Sequence, residues 1–315
     1  MTSSPLAICW FRQDLRLNDN PALCAAVAHG PVLPVFILDH ESAGSAAPGA
    51  ASRVWLYHSL ESLDASLGGA LLCYEGDAMT ILGDLIDRHG VTGVFWNRCY
   101  EPWQIQRDTN LKRYLRERGC ETESFNGSLL WEPWEITKPD GTPYRVFTPF
   151  YRRGCLAAPA PRAPLPPPDI EGRLVADNEA TKSSLLPQQP WATQMMRPWL
   201  PGEQGAADRL SQFLHEGIDD YKEGRNYPAK GHVSRLSPHL HFGELSPNQV
   251  WYASSALYDD ANLDHFLSEL GWREFSYHLL YANPDMQTQN LQHRFDRFPS
   301  VSYTHLRAHE TLRYL

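Results

Sequence analysis

At 315 residues the chain is long enough for two domains, each with a core of its own. Hydrophobic residues at 42% and charged residues at 21% are ordinary globular composition and exclude a chain disordered throughout. The formal net charge of −9 excludes a protein that coats nucleic acid through bulk positive charge, so any nucleic-acid role rests on a local patch.

Leu6 to Phe11 is a short apolar run that predicts a strand. After the polar loop RQDLRLND, Asn20-Pro21 opens a helix through Ala28. Val32 to Leu38 predicts a second strand, Arg53 to Leu67 a second helix, Leu71 to Tyr74 a third strand and Met79 to His89 a third helix. Val94 to Asn97, a helix from about Trp103 to Arg118 and a closing strand Glu121 to Phe125 continue the alternation. Strands alternating with helices imply βαβ units, so residues 1–131 are expected to form an α/β domain with a doubly wound parallel sheet. Such sheets bind ligands at the carboxyl ends of the strands, where the strand order reverses. The loops after strands one and four carry Arg12, Asp14, Arg16 and Asp19, then Asn97, Arg98, Glu101 and Arg107. For FRQDLR a second reading stands beside a ligand site: ion pairs that brace the loop and an interdomain surface.

Residues 132–204 turn proline-rich, with PAPRAPLPPP at Pro159 to Pro168, and predict a linker that runs extended over the surface. From residue 205 to 300 an all-helical domain is expected, beginning with AADRLSQFLHEG, whose Leu210, Phe213 and Leu214 form an apolar strip. Ser246-Pro247-Asn248-Gln249 predicts a capping box.

Two stretches of this region carry unusual chemistry. Tyr221 to His241, YKEGRNYPAKGHVSRLSPHLH, holds Lys222, Arg225, Lys230 and Arg235 against Glu223. It ends in Ser237-Pro238, which predicts a helix N-cap followed by proline at the first helical position. Such an end attracts phosphate, and Ser234, Arg235 and Ser237 add donors beside it. Arg145, Arg152 and Arg153 form a second basic group. A helix from Asn262 to Tyr281 follows. At about 100° per residue its Phe266, Glu269, Trp272, Arg273 and Ser276 fall within an arc of roughly 120°. Buried helix faces are usually aliphatic, so this mixture points to a site; the plainer alternative is an exposed intrahelical Glu269/Arg273 pair.

The six cysteines are widely spaced, with no C-x-x-C pair, and predict free thiols in a reducing, cytoplasmic setting. Arg12 comes too early for a signal peptide, and no apolar run approaches the ~18 residues of a membrane span.

WFRQDLRLNDNPAL, VFTPF, YKEGRNYPA, HVSRLSPHLHFGELSP and ELGWREFSYHLL, in family order, resemble the DNA photolyase/cryptochrome family, in a class I-like deoxyribodipyrimidine photolyase pattern. The resemblance implies FAD in the helical domain and light-driven splitting of cyclobutane pyrimidine dimers in UV-damaged DNA by a monomer that uses no metal. Carried over residue by residue, it puts Tyr221, Val233, Ser234, Arg235, Leu236, Ser237, Phe266, Glu269, Arg273 and Ser276 at FAD. Arg225 and Trp272 fall at DNA, with Glu269 and Trp272 acting on the lesion. A threonine is usual where Val233 stands. The family's N-terminal domain holds an antenna pigment; Trp103-Gln104 and Gln287-Thr288 replace its usual folate-binding pairs, which counts against methenyltetrahydrofolate and leaves a deazaflavin or an empty pocket beside it. A cryptochrome light sensor and an inert binding module are the alternatives.

After RFDRFPS the chain reads VSYTHLRAHETLRYL, and the family pattern stops. Val301 to Thr311 resembles a translated sequencing adaptor, so residues 301–315 are expected to be a non-native tail, and His305 and His309 carry no metal reading. The helical domain is then expected to be truncated and to retain FAD poorly.

Overall fold

A computed structural model of the protein describes residues 5–177, 190–227 and 229–298; the expected tail from residue 301 lies outside them. The first part alternates β1 (Leu6–Phe11), α1 (Pro21–His29), β2 (Val32–Leu38), α2 (His40–Ala43), α3 (Ala50–Ser66), β3 (Leu72–Glu75), α4 (Ala78–His89), β4 (Val91–Asn97), α5 (Pro102–Glu117) and β5 (Glu121–Phe125). All pairings are parallel and the order is β3-β2-β1-β4-β5, so the sheet is doubly wound and its order reverses between β1 and β4. β2 is buried along its whole length, as expected of a strand covered by helices on both faces. Two apolar cores flank the sheet, one around Phe11, Phe36 and Trp55, the other around Ile8, Val94 and Leu111.

Two local features escaped the apolar pattern. β4 begins at Val91, where Thr92 and Gly93 interrupt the run but Leu6 pairs with Val91 across the sheet. The short α2 is set by Asp39, whose carboxylate accepts from the Ser42 N–H at 2.9 Å.

The remainder holds α6 (Phe147–Pro149), α7 (Pro190–Met196), α8 (Glu203–Glu216), α9 (Tyr221–Gly224), α10 (Ser237–Phe242), α11 (Pro247–Ser255) and α12 (Ala261–Ala282). Its core gathers Leu210, Phe213, Tyr221, Phe266 and Phe275 with Trp131, Ile136, Tyr144, Phe150 and Tyr151. Here the structure departs from the expected surface linker. Leu130, Trp131, Ile136, Tyr144, Phe150 and Tyr151 are buried in this core, while Trp134 and Val146 stay exposed, and the proline run after Ala158 is irregular. Upstream of that run, buried Trp131, Tyr144 and Phe150 outweigh the prolines.

The two parts meet at the first loop. Buried Arg16 donates to the carbonyls of Gly243 (2.9 Å), Asp19 (2.7 Å) and Gly127 (2.6 Å). Asp19 accepts from Ser246 Oγ and Arg162, each at 2.5 Å. Gly243 has φ +66°, and a Cβ there would sit 2.0 Å from the Gln13 carbonyl oxygen, so only glycine allows this approach. Within FRQDLR, Arg16 therefore braces the two parts through carbonyls rather than ion pairs, and Asp14 accepts from Asn97 Nδ2 at 2.6 Å and from the Arg12 N–H rather than from a guanidinium. Ser246 and Gln249 form the expected capping box.

Candidate functional site

α12 starts at Asp260, whose carboxylate accepts from the N–H groups of Asn262 and Leu263 at 2.8 Å. Along one stripe it buries Leu263, Phe266, Leu267, Leu270, Glu274 and His278. Phe266 packs against Phe213 (4.7 Å between centroids) and Tyr221 (5.4 Å). The Arg225 guanidinium lies 5.3 Å from the Tyr221 ring centre and pairs with the Glu269 carboxylate. The intrahelical Glu269/Arg273 pair does not form. Arg273 instead donates to the Ser128 carbonyl at 2.7 Å and to Glu274 at 3.2 Å, because its long side chain reaches over Tyr277. Trp272 is 46% exposed yet ordered, stacked on Phe147 at 3.8 Å and 12° between planes. Ser276 is exposed and its hydroxyl donates back to the Trp272 carbonyl at 2.9 Å.

In the segment before α10, Val233 and Ser234 are half-buried, Arg235 and Ser237 exposed and Leu236 buried in the second core. Arg235 adopts φ +54°, a left-handed conformation that costs a non-glycine residue roughly 1–2 kcal/mol. The Ser234 carbonyl accepts from Arg209 Nε at 3.1 Å, and burial together with the charge of Arg235 weakens the hold of Arg209 on its proton. Neither guanidinium has an ion-pair partner among the described residues. The expected N-cap is corrected. Leu236 occupies the cap position with φ −85° and ψ −9°, a helical entry that leaves Ser237 as the first helical residue and no side chain over the open N–H groups.

Tyr221, Arg225, Phe266 and Glu269 thus form one cluster, with Trp272 on Phe147 beside it. Among the described residues no hydrogen bond, ion pair or ring contact joins Val233–Ser237 to this ridge; Leu236 shares its core with Tyr221 and Phe266.

Glu274 was missed in the sequence. It is 4% exposed, accepts from the Leu130 N–H (2.9 Å) and Arg273, and burial pushes its carboxyl up to about 7 against the pull of Arg273. Its signal was the spacing 263, 267, 270, 274, 278, which places an acid on the apolar stripe. With its folded pKa above the ordinary 4.5, the folded chain holds the extra proton between those values, so stability falls as pH rises through that window. The loss is on the order of 3 kcal/mol. Glu274→Gln is expected to flatten this slope in thermal melts between pH 5 and pH 8; an unchanged slope would assign it elsewhere.

A cavity of about 450 Å³ opens at the carboxyl ends of β1 and β2, lined by Arg12, Asp39, Gln104, Arg107, His241 and Gln287 among others. Arg12 and Arg107 each lie 4.7 Å from the Trp10 ring centre. Arg12 pairs with Asp108 (2.6 Å), and Arg107 with Asp108 (3.0 Å) and Asp39 (3.4 Å). Trp103, Gln104 and Gln287, read as standing at antenna positions, all line this cavity, whereas Asp39 and Asp108 were not singled out. Asp39 directly follows β2, and Asp108 shares the buried stripe of Gln104, Leu111 and Leu115.

The family described as DNA photolyase matches residues 7–169. The chain is 44% identical over 305 residues to a deoxyribodipyrimidine photo-lyase of Agrobacterium fabrum, covering 92% of this chain and 62% of that protein. It is 33% identical to Cryptochrome-1 of Arabidopsis thaliana, covering 94% of this chain and 46% of that one. A crystal structure of a bacterial class III photolyase from Agrobacterium tumefaciens superposes with a TM-score of 0.86 at 42% identity, covering 96% of this chain and 64% of the other. The chain therefore spans less than two thirds of the length of these relatives. Family match, parallel sheet and the superposed helical part agree: the chain belongs to the DNA photolyase/cryptochrome family.

Proposed function

We propose that this chain is the part of a light-dependent DNA repair enzyme that holds FAD and presents it to cyclobutane pyrimidine dimers. The observation that carries the reading is the exposed Trp272, already stacked on Phe147 beside the Arg225–Glu269 pair. An aromatic platform next to a cation and a carboxylate suits a base displaced from its stack.

In this reading Arg209 and Arg235 hold the diphosphate of FAD, with Ser234 and Ser237 as donors. Tyr221, Val233, Leu236 and Phe266 give it an apolar bed, and Glu269, Arg273 and Ser276 flank its polar edges. Bound in reduced form, FAD would supply the light-excited electron that opens the cyclobutane ring and would take it back once the two pyrimidines separate. Arg225 exchanges Glu269 for a DNA phosphate, and the freed carboxyl hydrogen-bonds the dimer. The cavity at the sheet ends takes the antenna pigment, whose planar rings Arg12 and Arg107 can cover as they cover Trp10. Methenyltetrahydrofolate and a deazaflavin both suit it.

The test is illumination of a dimer-containing oligothymidylate with the protein in excess reduced FAD. Thymine absorbance is expected to recover, and Glu269→Ala to slow recovery roughly 10- to 100-fold, the worth of a charge-assisted hydrogen bond. Flavin binding without recovery would favour a cryptochrome-type light sensor.

A further inference from the structure

Beyond α5, on the side away from the antenna cavity, lies a smaller cavity of about 200 Å³ between β4, β5 and the end of α12. Its lining is aromatic: Trp134 and Tyr281, both exposed and 5.5 Å apart, stand over buried Trp96 and Tyr100, with Trp134 6.5 Å from Tyr100. Its floor is cationic. The Ser124 hydroxyl accepts from Lys112 Nζ at 2.6 Å and from Arg98 at 3.2 Å, and Lys112 sits 5.6 Å from the Trp96 ring centre.

The local charges do not cancel. Arg98 is paired with Glu132, and Asp108, the acid on the wall, is shared by Arg12 and Arg107. Lys112 has no carboxylate within ion-pair distance among the described residues. Burial, and then the neighbouring Arg98, weaken its hold on its proton. An anion beside Lys112 would reverse both effects. The walls dictate the rest of the ligand: the exposed rings of Trp134 and Tyr281 offer stacking faces, and the volume is below the ~300 Å³ at which drug-sized sites begin, which leaves room for one or two rings.

We infer that this cavity binds a small planar aromatic carboxylate, its acid on Lys112 over Ser124 and its rings against Trp134 and Tyr281. The site is separate from the proposed flavin and antenna sites and depends on neither.

The experiment titrates the protein with 2-naphthoate and follows tryptophan fluorescence and calorimetric heat. Saturable binding is expected, with 2-naphthamide and cyclohexanecarboxylate each weaker by about tenfold or more, since one lacks the charge and the other the ring. Lys112→Met should weaken 2-naphthoate by a similar factor, and Thr109→Trp, which fills the cavity from α5, should abolish binding. Both variants are checked by thermal melts; only folded protein is titrated. The inference is overturned if 2-naphthoate fails to bind at millimolar concentration, if the amide binds equally well, or if Thr109→Trp, folded, still binds like the parent.

Discussion

Glu244→Ala is expected to lower the thermal midpoint by on the order of 10 °C. Glu244 is fully buried where the first part of the chain meets the second, and four donors converge on its carboxylate. Trp55 Nε1 reaches it at 3.0 Å and the Gly202 N–H at 2.8 Å, while Ser59 Oγ and His239 Nδ1 complete the set. Removing the acceptor strands all four in a space closed to water, which costs about 3–5 kcal/mol. Glu244→Gln keeps one oxygen but points an amide N–H₂ at donors, so it should fall between the parent and alanine. Calorimetry decides the matter, and an alanine variant that melts with the parent would show that water or rearranged side chains satisfy these donors.

The second large effect concerns Trp272. If the Phe147–Trp272 stack is the surface on which a displaced lesion rests, Trp272→Ala should weaken binding of dimer-containing DNA by roughly 10- to 100-fold, the worth of one base–aromatic stack. Undamaged duplex, held through phosphates, should bind unchanged. Trp272→Phe should recover most of the loss. Fluorescence anisotropy with damaged and undamaged oligonucleotides separates the two. Equal weakening on both would move Trp272 from lesion recognition to general packing.

The α/β half was readable because it rests on local rules. Apolar runs of the length of β1 and β2 end where polar loops begin, and Asn20-Pro21 and Ser246-Pro247 mark helix starts by chemistry that acts within four residues. What stayed hidden depends on partners far along the chain. The Glu269–Arg225 pair spans 44 residues, and on spacing alone Arg273 was the nearer candidate. Nor could α12 reveal Phe147 under Trp272, since Phe147 lies in a stretch whose neighbouring prolines suggested an exposed linker. Ser237 shows the limit of even a strong local rule: Ser-Pro marks a helix start, but Leu236, anchored in the core, enters the helix first.

The central claim is that the segment before α10 grips the diphosphate of a flavin dinucleotide, and competition between FAD and riboflavin tests it most directly. Flavin fluorescence titration should show FAD bound more tightly than riboflavin by about tenfold or more, with Arg235→Gln removing that preference and leaving riboflavin affinity unchanged. Equal affinities for the two flavins, or an Arg235→Gln variant that still prefers FAD, would contradict the account.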